Sequence, residues 1–226
     1  MSTPIRWNIY EISWLLVFSS IALVLSILWK NSLFDFSVFL SGVLCVVLAA
    51  KGHIWTYGFG MYNSFAYAYL AYTNGLYGEM GLNLFFFVPM NIVGYLLWKP
   101  KLDGTYVRMR ALIWRQTLLT VLANLLGIAI MGYFLAKIPG QNTPYIDATT
   151  NVLSIVATIL MVFRYREQWL LYILLNIFTV LMWSIRTAEG SPEGPLMIVM
   201  WSAYLINAGY GYYTWNRGAK QNSLFV

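Results

Sequence analysis

The chain has 226 residues, of which 60% are hydrophobic, 18% are aromatic and only 10% are charged. Soluble domains are about 45–50% apolar and about 25% charged, so this composition excludes a soluble domain, a disordered chain and a disulfide scaffold, and it predicts a protein of the lipid bilayer. The formal net charge of +6 would suggest nucleic acid in a soluble protein, but cytoplasmic loops of membrane proteins also collect Lys and Arg, so no nucleic-acid partner is expected.

Eight segments are apolar and long enough to cross a membrane, which takes about 20 residues of helix. In chain order they run over about Glu11–Trp29, Ser32–Ala50, Ile54–Tyr72, Tyr77–Trp98, Ala111–Ala136, Ala148–Phe163, Trp169–Ile185 and Pro195–Trp215. Lipid cannot satisfy the backbone of an open strand. The predicted fold is therefore an all-α membrane protein with eight transmembrane helices.

The basic residues predict which ends of the helices face the cytoplasm, because short cytoplasmic loops are enriched in Lys and Arg. Eight spans place both termini on one side, which carries ten basic residues: Arg6, Lys51, Lys99, Lys101, Arg108, Arg110, Arg164, Arg166, Arg217 and Lys220. The other side carries three: Lys30, Lys137 and Arg186. Both termini are expected in the cytoplasm, and the run Lys99–Arg110 is interpreted as a solvated loop that fixes this topology.

Two short motifs recur with nearly the same separation in the sequence. The fourth segment closes on Gly94-Tyr95-Leu96-Leu97-Trp98 and the eighth on Gly211-Tyr212-Tyr213-Thr214-Trp215. A basic turn followed by Trp55 opens the third segment, and one followed by Trp169 opens the seventh. A chance pairing of interfacial aromatic residues is the alternative. The shared separation favours an internal duplication.

The duplication predicts two parallel three-helix repeats joined by a linker helix, because a single extra crossing restores the orientation of the second copy. One extra helix precedes them. The predicted divisions are an N-terminal helix (1–31), a first repeat (32–98), a cytoplasmic loop and linker helix (99–146), a second repeat (147–216) and a cytoplasmic tail (217–226). Transporters with parallel repeats bind substrate near midplane at the repeat interface.

Amides and aromatic rings, rather than carboxylates, lie near the middle of the predicted spans. They form helical stripes, namely Trp169, Tyr172, Asn176, Thr179 and Trp183; Trp201, Tyr204, Asn207 and Gly211; Asn83, Phe87, Asn91 and Gly94; Asn151, Ser154 and Thr158; and Trp55, Gly58, Tyr62 and Asn63. Asn in a span often only joins helices. Amides on several helices beside rings favour a polar cavity that suits a flat ring joined to a hydroxylated group, and rings also attract a delocalised cation.

No metal or cofactor is expected. One cysteine, Cys45, and one histidine, His53, cannot build a metal cluster, and we interpret them as a packing residue and a polar residue of a cytoplasmic turn. Ion-coupled carriers keep ionisable groups at depth, and no carboxylate lies in the middle of a span. No phosphate-binding loop for ATP is present.

Two segments resemble a known family. The run from Asn83 to Trp98, NLFFFVPMNIVGYLLW, resembles the fourth-helix signature of the PnuC nicotinamide riboside transporters. The run from Gln168 to Asn176, QWLLYILLN, is similar to their W-x-x-W/Y-x-x-x-N helix, with Tyr172 where many members have Trp. The likeness extends over nearly the whole chain.

The resemblance implies a fold similar to SWEET sugar transporters with one extra N-terminal helix, often as a homotrimer in the bacterial inner membrane. It implies facilitated diffusion of nicotinamide riboside without ion coupling, driven by a cytosolic riboside kinase that phosphorylates the substrate, so the chain itself is not expected to be an enzyme. The expected substrate-binding residues are Phe87, Asn91, Trp169, Tyr172, Asn176, Trp183, Tyr204, Asn207 and Trp55.

Three alternatives remain open at this point. A related transporter of thiamine or riboflavin keeps the class and changes the vitamin. A membrane enzyme or a receptor that does not transport changes the class. A sugar carrier is less favoured because large rings crowd the proposed site.

Overall fold

The computed structural model describes residues 7–28, 33–73, 77–139, 143–190 and 194–223. Arg6, Trp29, Lys30 and Ser32 lie outside these ranges, as does the predicted boundary between residues 31 and 32. The chain divides into two units, Met1–Arg108 and Met109–Val226, here called unit 1 and unit 2. Each unit is described by itself.

Unit 1 consists of helices that follow the first four predicted spans. They are α1 (Ile9–Leu28), α2 (Leu33–Lys51), α3 (Thr56–Thr73), α4 (Tyr77–Leu82) and α5 (Val88–Trp98), with a π-helical turn, Asn83–Phe87, between α4 and α5. A 3₁₀ turn, Lys99–Lys101, leads into an antiparallel hairpin of β1 (Leu102–Asp103) and β2 (Tyr106–Val107). The predicted fourth helix is thus built from three pieces.

Pro89 explains the irregular backbone of the predicted fourth helix. Proline has no backbone N–H to donate, and its ring clashes with the carbonyl four residues earlier in a regular helix. The helix widens just before it, and the N–H of Val88 donates to the carbonyl of Asn83, five residues back. Single π-helical turns of this kind are frequent at functional sites.

The first half of the turn between α2 and α3, Gly52 and His53, is buried. Gly52 ends α2 in a left-handed conformation, with φ of 70°. Its carbonyl accepts a hydrogen bond from the N–H of Val107 at 2.8 Å. His53 is 0% exposed, and its ring packs edge-on against Tyr106 with centroids 5.4 Å apart. The run Lys99–Arg110, predicted as a solvated loop, is mostly exposed, but Val107 is buried against this turn.

A buried ion pair attaches α1 to α2. The Lys51 Nζ lies 2.5 Å from the Glu11 Oε2, and each side chain is 5% exposed. The carboxylate also accepts the backbone N–H of Asn8 at 2.7 Å. The ammonium lies 4.6 Å from the ring centroid of Trp7. Glu11 is in the first turn of α1 and Lys51 in the last turn of α2, where the helix dipoles favour these charges.

Unit 2 contains the four remaining spans. They are α6 (Trp114–Leu135), α7 (Pro144–Val162), α8 (Gln168–Ala188) and α9 (Gly194–Ser223). Their ends differ from the predicted ones by a few residues, except that α9 continues beyond Trp215 into the predicted tail. This extension packs against the chain: Ala219 is buried, and Gly218 approaches the Met109 sulfur too closely for a β-carbon.

The turn between α7 and α8 repeats the backbone pattern of the turn in unit 1. Arg164 adopts the left-handed conformation, with φ of 67°, as Gly52 does. Its carbonyl accepts the N–H of Arg110 at 2.8 Å, and the N–H of Arg166 donates to the Arg110 carbonyl at 2.9 Å. The Glu167 carboxylate accepts the N–H of Leu112 at 3.0 Å. Tyr106 and Val107 thus contact the first turn within unit 1, and Arg110 and Leu112 bind this second turn within unit 2.

Several helices are apolar enough to span a bilayer. Four in the described ranges meet the length and composition required: Met80–Lys101, Trp114–Leu135, Pro144–Val162 and Gln168–Ala188. Two shorter apolar stretches are Ile9–Ile21 and Phe36–Lys51. On α6 the apolar side chains face outward, with Leu118, Leu119, Leu122, Leu125 and Leu126 all exposed. Such a surface needs lipid or protein to cover it.

Breaking the buried ion pair should destabilise unit 1. Lys51→Met or Glu11→Leu leaves a single buried charge, and we expect either to cost about 3–5 kcal/mol. The double variant Glu11→Leu/Lys51→Met should be near neutral because both charges are gone. Unfolding in detergent, followed by circular dichroism, measures the difference. Glu189→Gln changes an exposed carboxylate and is the control; equal stability of the single variants and the control would contradict the role of the pair.

The buried imidazole should make stability depend on pH. Burial lowers the pKa of His53, and the nearby positive charge of Lys51 lowers it further. The unfolded chain then binds a proton more readily than the folded one, so this contribution is complete above the ordinary pKa and is lost as pH falls through the folded value. The melting temperature should fall between about pH 7 and pH 5, and His53→Phe should flatten part of that fall. A variant profile parallel to the wild type would exclude His53 as the cause.

Candidate substrate-binding site

One face of α8 buries uncharged polar groups and rings together. Gln168 is 0% exposed and Trp169 is 3% exposed, and Asn176 and Thr179 are buried on the same helix. The spacing of three and four residues places this stripe on one side of a helix. The Thr179 hydroxyl donates to the carbonyl of Leu175 at 2.9 Å, so it is satisfied within the helix. The buried stripe contains no charged side chain.

Trp169 packs directly on the backbone of α9. A β-carbon at Gly211 would lie 2.6 Å from the indole ring, which is too close for any residue other than glycine. The indole also meets Trp215 edge-on, with centroids 6.3 Å apart, and Tyr172 at 5.8 Å. The Gly-x-x-x-Trp spacing of α9 thus forms a socket for Trp169, and this socket fixes where α8 and α9 meet.

Tyr172 and Trp183 lie further along the stripe. The Tyr172 hydroxyl is 3.3 Å from the Thr158 hydroxyl of α7, so it belongs to a polar contact between two helices. The Trp183 ring has the guanidinium of Arg186 at 5.1 Å from its centroid. Arg186 in turn lies 3.9 Å from the carboxylate of Asp147. One face of Trp183 therefore already carries a cation.

The polar residues of α9 complete the arrangement in unit 2. Tyr204 meets Trp201 edge-on, with centroids 5.5 Å apart. Asn207 is buried one turn before Gly211. Unit 2 thus brings Trp169, Tyr172, Asn176 and Asn207 onto the facing helices α8 and α9, whereas Trp183 interacts with Arg186 near the far end of α8.

Unit 1 contains the same contact between a ring and a glycine. The ring is Tyr57, and not Trp55, which the sequence repeat had paired with Trp169. Tyr57, buried on α3, packs on Gly94, where a β-carbon would clash with its ring, and it meets Trp98 edge-on at 4.8 Å. Tyr57 is the fifth residue after Gly52, and Trp169 is the fifth after Arg164. Tyr57, rather than Trp55, is therefore the counterpart of Trp169. Trp55 lies in the turn and is 61% exposed.

Asn91 joins α5 to α3. Its amide donates to the Phe87 carbonyl at 2.9 Å and to the Ser64 hydroxyl at 3.3 Å. The amide oxygen lies so close to Gly60 that a β-carbon there would clash. Phe87 is half-buried at the end of the π-helical turn and contacts Phe86 edge-on. In this structure Asn91 acts in helix packing, the role that amides in spans often have.

Gln168 and Tyr57 were missed by the sequence interpretation. Gln168 stands at the start of α8, where a polar residue looks like part of a solvated turn, and its burial depends on the fold around it. Tyr57 was overlooked because Trp55 is the more conspicuous ring. Its equivalence to Trp169 depends on the left-handed residues Gly52 and Arg164, which the structure reveals. Among the described residues, no three His, Cys, Asp or Glu side chains come together as a metal site.

Comparison with known proteins identifies the family. The family model described as nicotinamide mononucleotide transporter matches residues 32–217, most of the chain. The chain belongs to this transporter family. The resemblance seen in the sequence is therefore confirmed, and the chain is a multi-pass membrane protein of the nicotinamide mononucleotide transporter family.

Relatives within the family agree in size and fold. The chain is 37% identical to the nicotinamide riboside transporter PnuC of Neisseria mucosa, with 96% of this chain and 84% of the relative covered. It is 33% identical to the PnuC of Haemophilus influenzae, with 96% and 94% covered. A crystal structure of the vitamin B3 transporter PnuC superimposes with a TM-score of 0.78 at 37% identity, covering 96% and 94% of the two chains.

The socket for Trp169 predicts a sharp contrast between two glycines of α9. Gly211→Ala forces the indole to move, so we expect a melting temperature lower by several degrees and a shifted tryptophan emission, since overpacking costs about 1–3 kcal/mol. A β-carbon at Gly209 has no neighbour within 4 Å, so Gly209→Ala is the matched control and should behave as wild type. Thermal unfolding in detergent and intrinsic tryptophan fluorescence measure the two effects. Equal behaviour of the two variants would contradict the socket.

Proposed function

We propose that this chain carries nicotinamide riboside across the bacterial inner membrane by facilitated diffusion. The observation that carries the proposal is the buried face of α8, which combines rings and amides without a charged group. Relatives that cover nearly the whole chain are named nicotinamide riboside transporters. Membership of the transporter family and the buried stripe of rings and amides both support nicotinamide riboside as the substrate.

The chemistry of nicotinamide riboside fits this stripe. The substrate is a planar pyridinium cation that carries a carboxamide and a ribose. Trp169 and Tyr172 offer ring faces that attract a delocalised cation. Asn176 offers a donor and an acceptor for hydroxyls. We propose that these residues contact the substrate together with Asn207, Tyr204 and Trp183. Phe87, Asn91 and Trp55 of unit 1 stay predicted contacts that rest on the sequence.

The riboside fits better than its phosphorylated form. A mononucleotide carries a phosphate, which proteins hold with Arg, Lys or a helix N-terminus. The buried stripe of α8 has no cationic side chain, and its one basic residue, Arg186, lies in the last turn. The family description names the mononucleotide, whereas the curated relatives are named for the riboside. We propose the riboside as the substrate.

The positions of the carboxylates support uniport without ion coupling. In the described helices the carboxylates lie near the ends: Glu11 in the first turn of α1 and Asp147 in the first turn of α7. A coupled carrier needs a titratable or ion-binding group at depth. Net uptake would then be driven by a cytosolic riboside kinase, which converts the substrate to a form that cannot leave.

We propose the eight-span arrangement, with both termini cytoplasmic and the divisions 1–31, 32–98, 99–146, 147–216 and 217–226. The two turns support the repeat, because each follows a helix with a left-handed residue, and the ring five residues after that residue packs on a glycine. The exposed leucines of α6 support contact with lipid or with further copies, as in the homotrimer that the family resemblance implies. The mass of the detergent-solubilised protein tests the trimer.

Counterflow in proteoliposomes tests transport directly. Vesicles loaded with unlabelled nicotinamide riboside should take up labelled riboside without ATP or an ion gradient, because only a carrier exchanges ligand across a sealed bilayer. Exchange that requires a proton or sodium gradient would contradict uniport.

Asn176→Ala should reduce binding of nicotinamide riboside by about 10-fold or more, since a lost hydrogen bond at a buried site costs about 1–3 kcal/mol. The control is Asn124→Ala, a similarly buried amide on α6, and calorimetric titration measures both affinities. Equal affinity of the two variants would remove Asn176 from the proposed site.

Competition with unlabelled vitamins tests the alternatives. Thiamine and riboflavin also present flat rings, so aromatic stacking alone does not separate them from nicotinamide riboside. We expect only the riboside to displace labelled riboside. Displacement by thiamine or riboflavin at equal concentration would favour the alternative vitamin, and binding without counterflow would favour a receptor.

A further inference from the structure

Gln168 is the most completely buried polar side chain on α8. It is 0% exposed, and neither its Nε2 nor its Oε1 has a hydrogen-bond partner among the residues that the structure describes. The Nε1 of the adjacent Trp169 is likewise buried without a partner in the described part of the chain. A buried donor or acceptor without a partner destabilises a fold, so such groups are rare and call for an explanation.

The position of Gln168 places it on the proposed substrate-binding stripe. It is one residue before Trp169 and four before Tyr172, which puts it on the same side of α8 as Tyr172. Eight residues separate it from Asn176, about 12 Å along the helix axis at 1.5 Å per residue. A pyridinium riboside is about as long as that span, so a ligand stacked on Trp169 or Tyr172 reaches both amides.

We propose that Gln168 is the specificity-determining residue that recognises the carboxamide of the substrate. A primary amide has one carbonyl and two N–H donors, which match the Nε2 donor and the Oε1 acceptor of Gln168 in two parallel hydrogen bonds. The Trp169 indole N–H supplies a further donor to the ligand carbonyl. The three atoms that have no partner are thereby satisfied by one ligand group. The inference rests on the proposed function, since it assigns a group of that same substrate.

Gln168 would discriminate between ligands because a wrong ligand leaves one of its buried polar atoms without a hydrogen bond. A ligand that presents a methyl ketone in place of the carboxamide keeps the acceptor and the flat ring but cannot donate to Oε1. A buried Oε1 left without a donor loses a hydrogen bond and its solvation. Sites built to hydrogen-bond a substrate group reject analogues that lack it far more strongly than apolar pockets reject a missing methylene. Gln168 would thus separate carboxamides from other 3-substituted pyridinium ribosides.

The test compares nicotinamide riboside with the riboside of 3-acetylpyridine, the methyl ketone, by calorimetric titration of the purified full-length protein. The wild type should prefer the carboxamide by about 10-fold or more. Gln168→Met keeps the size of the side chain and removes both hydrogen-bonding groups. It should bind the two ribosides with affinities within about threefold of each other. The matched control is Gln221→Met, an exposed residue near the end of α9, which should keep the wild-type preference.

The outcomes separate this inference from the proposed function. Collapse of the preference in Gln168→Met supports it, because a merely structural role would weaken both ribosides equally. An equal weakening, or an unchanged preference, would overturn the inference while the proposed function stands. Equal affinity of the wild type for the two ribosides would also overturn it, without relying on the variant to fold. A wild-type protein that binds neither riboside would overturn the proposed function and this inference with it.

Discussion

The structure depends on the contact between an aromatic ring and a glycine on the next-packed helix. In unit 2 the ring is Trp169 and the glycine is Gly211; in unit 1 they are Tyr57 and Gly94. A glycine lets two helices approach until side chain meets backbone, as small residues do in membranes, where lipid tails give apolar side chains little reason to associate. Because the ring cannot move without losing this contact, it fixes the position of its helix along the helix axis, and with it the position of every residue that follows.

The axial position of α8 determines which side chains form its buried stripe. Once Trp169 is seated, Asn176 and Thr179 follow on the same face and stay buried. The charged residues of unit 2 are kept at the helix ends, where Arg186 pairs with Asp147. A stripe of rings and amides can hold a cation through ring faces and a sugar through hydrogen bonds, and it needs no counter-ion at depth. Under the proposed function, a cationic substrate would leave the stripe without separating from a buried opposite charge.

Sequence alone predicted the helices well and the details between them less well. Long apolar segments predict spans because lipid imposes their length and their backbone pairing. The burial of Val107 within the mostly exposed run Lys99–Arg110 was not predicted, since hydrogen bonds from residues 107 and 110 to two distant turns depend on the fold. The extension of α9 to Ser223 was missed for the same reason, because Gly218 packs on Met109.

In the candidate site too, local helix patterns were predictable from the sequence and the burial of individual residues was not. The stripe Trp169, Tyr172, Asn176 could be predicted from its spacing, which is a local property of a helix. The burial of Gln168 could not, because a glutamine beside a charged turn reads as solvated until the neighbouring helices are in place. The exposure of Trp55 was also unforeseen, since it follows from the left-handed Gly52, which turns the chain four residues before the start of the helix that carries Tyr57. Local pattern identifies faces of helices, and tertiary packing decides which residues are buried on them.

The most direct test of this account compares nicotinamide riboside with nicotinamide mononucleotide by calorimetric titration of the purified wild-type protein. An uncharged stripe of rings and amides predicts saturable binding of the riboside. It also predicts affinity for the mononucleotide at least about tenfold weaker, because the phosphate would lose its hydration without a cation to receive it. Binding of the mononucleotide as tightly as the riboside, or more tightly, would contradict the claim that uncharged groups select this cargo.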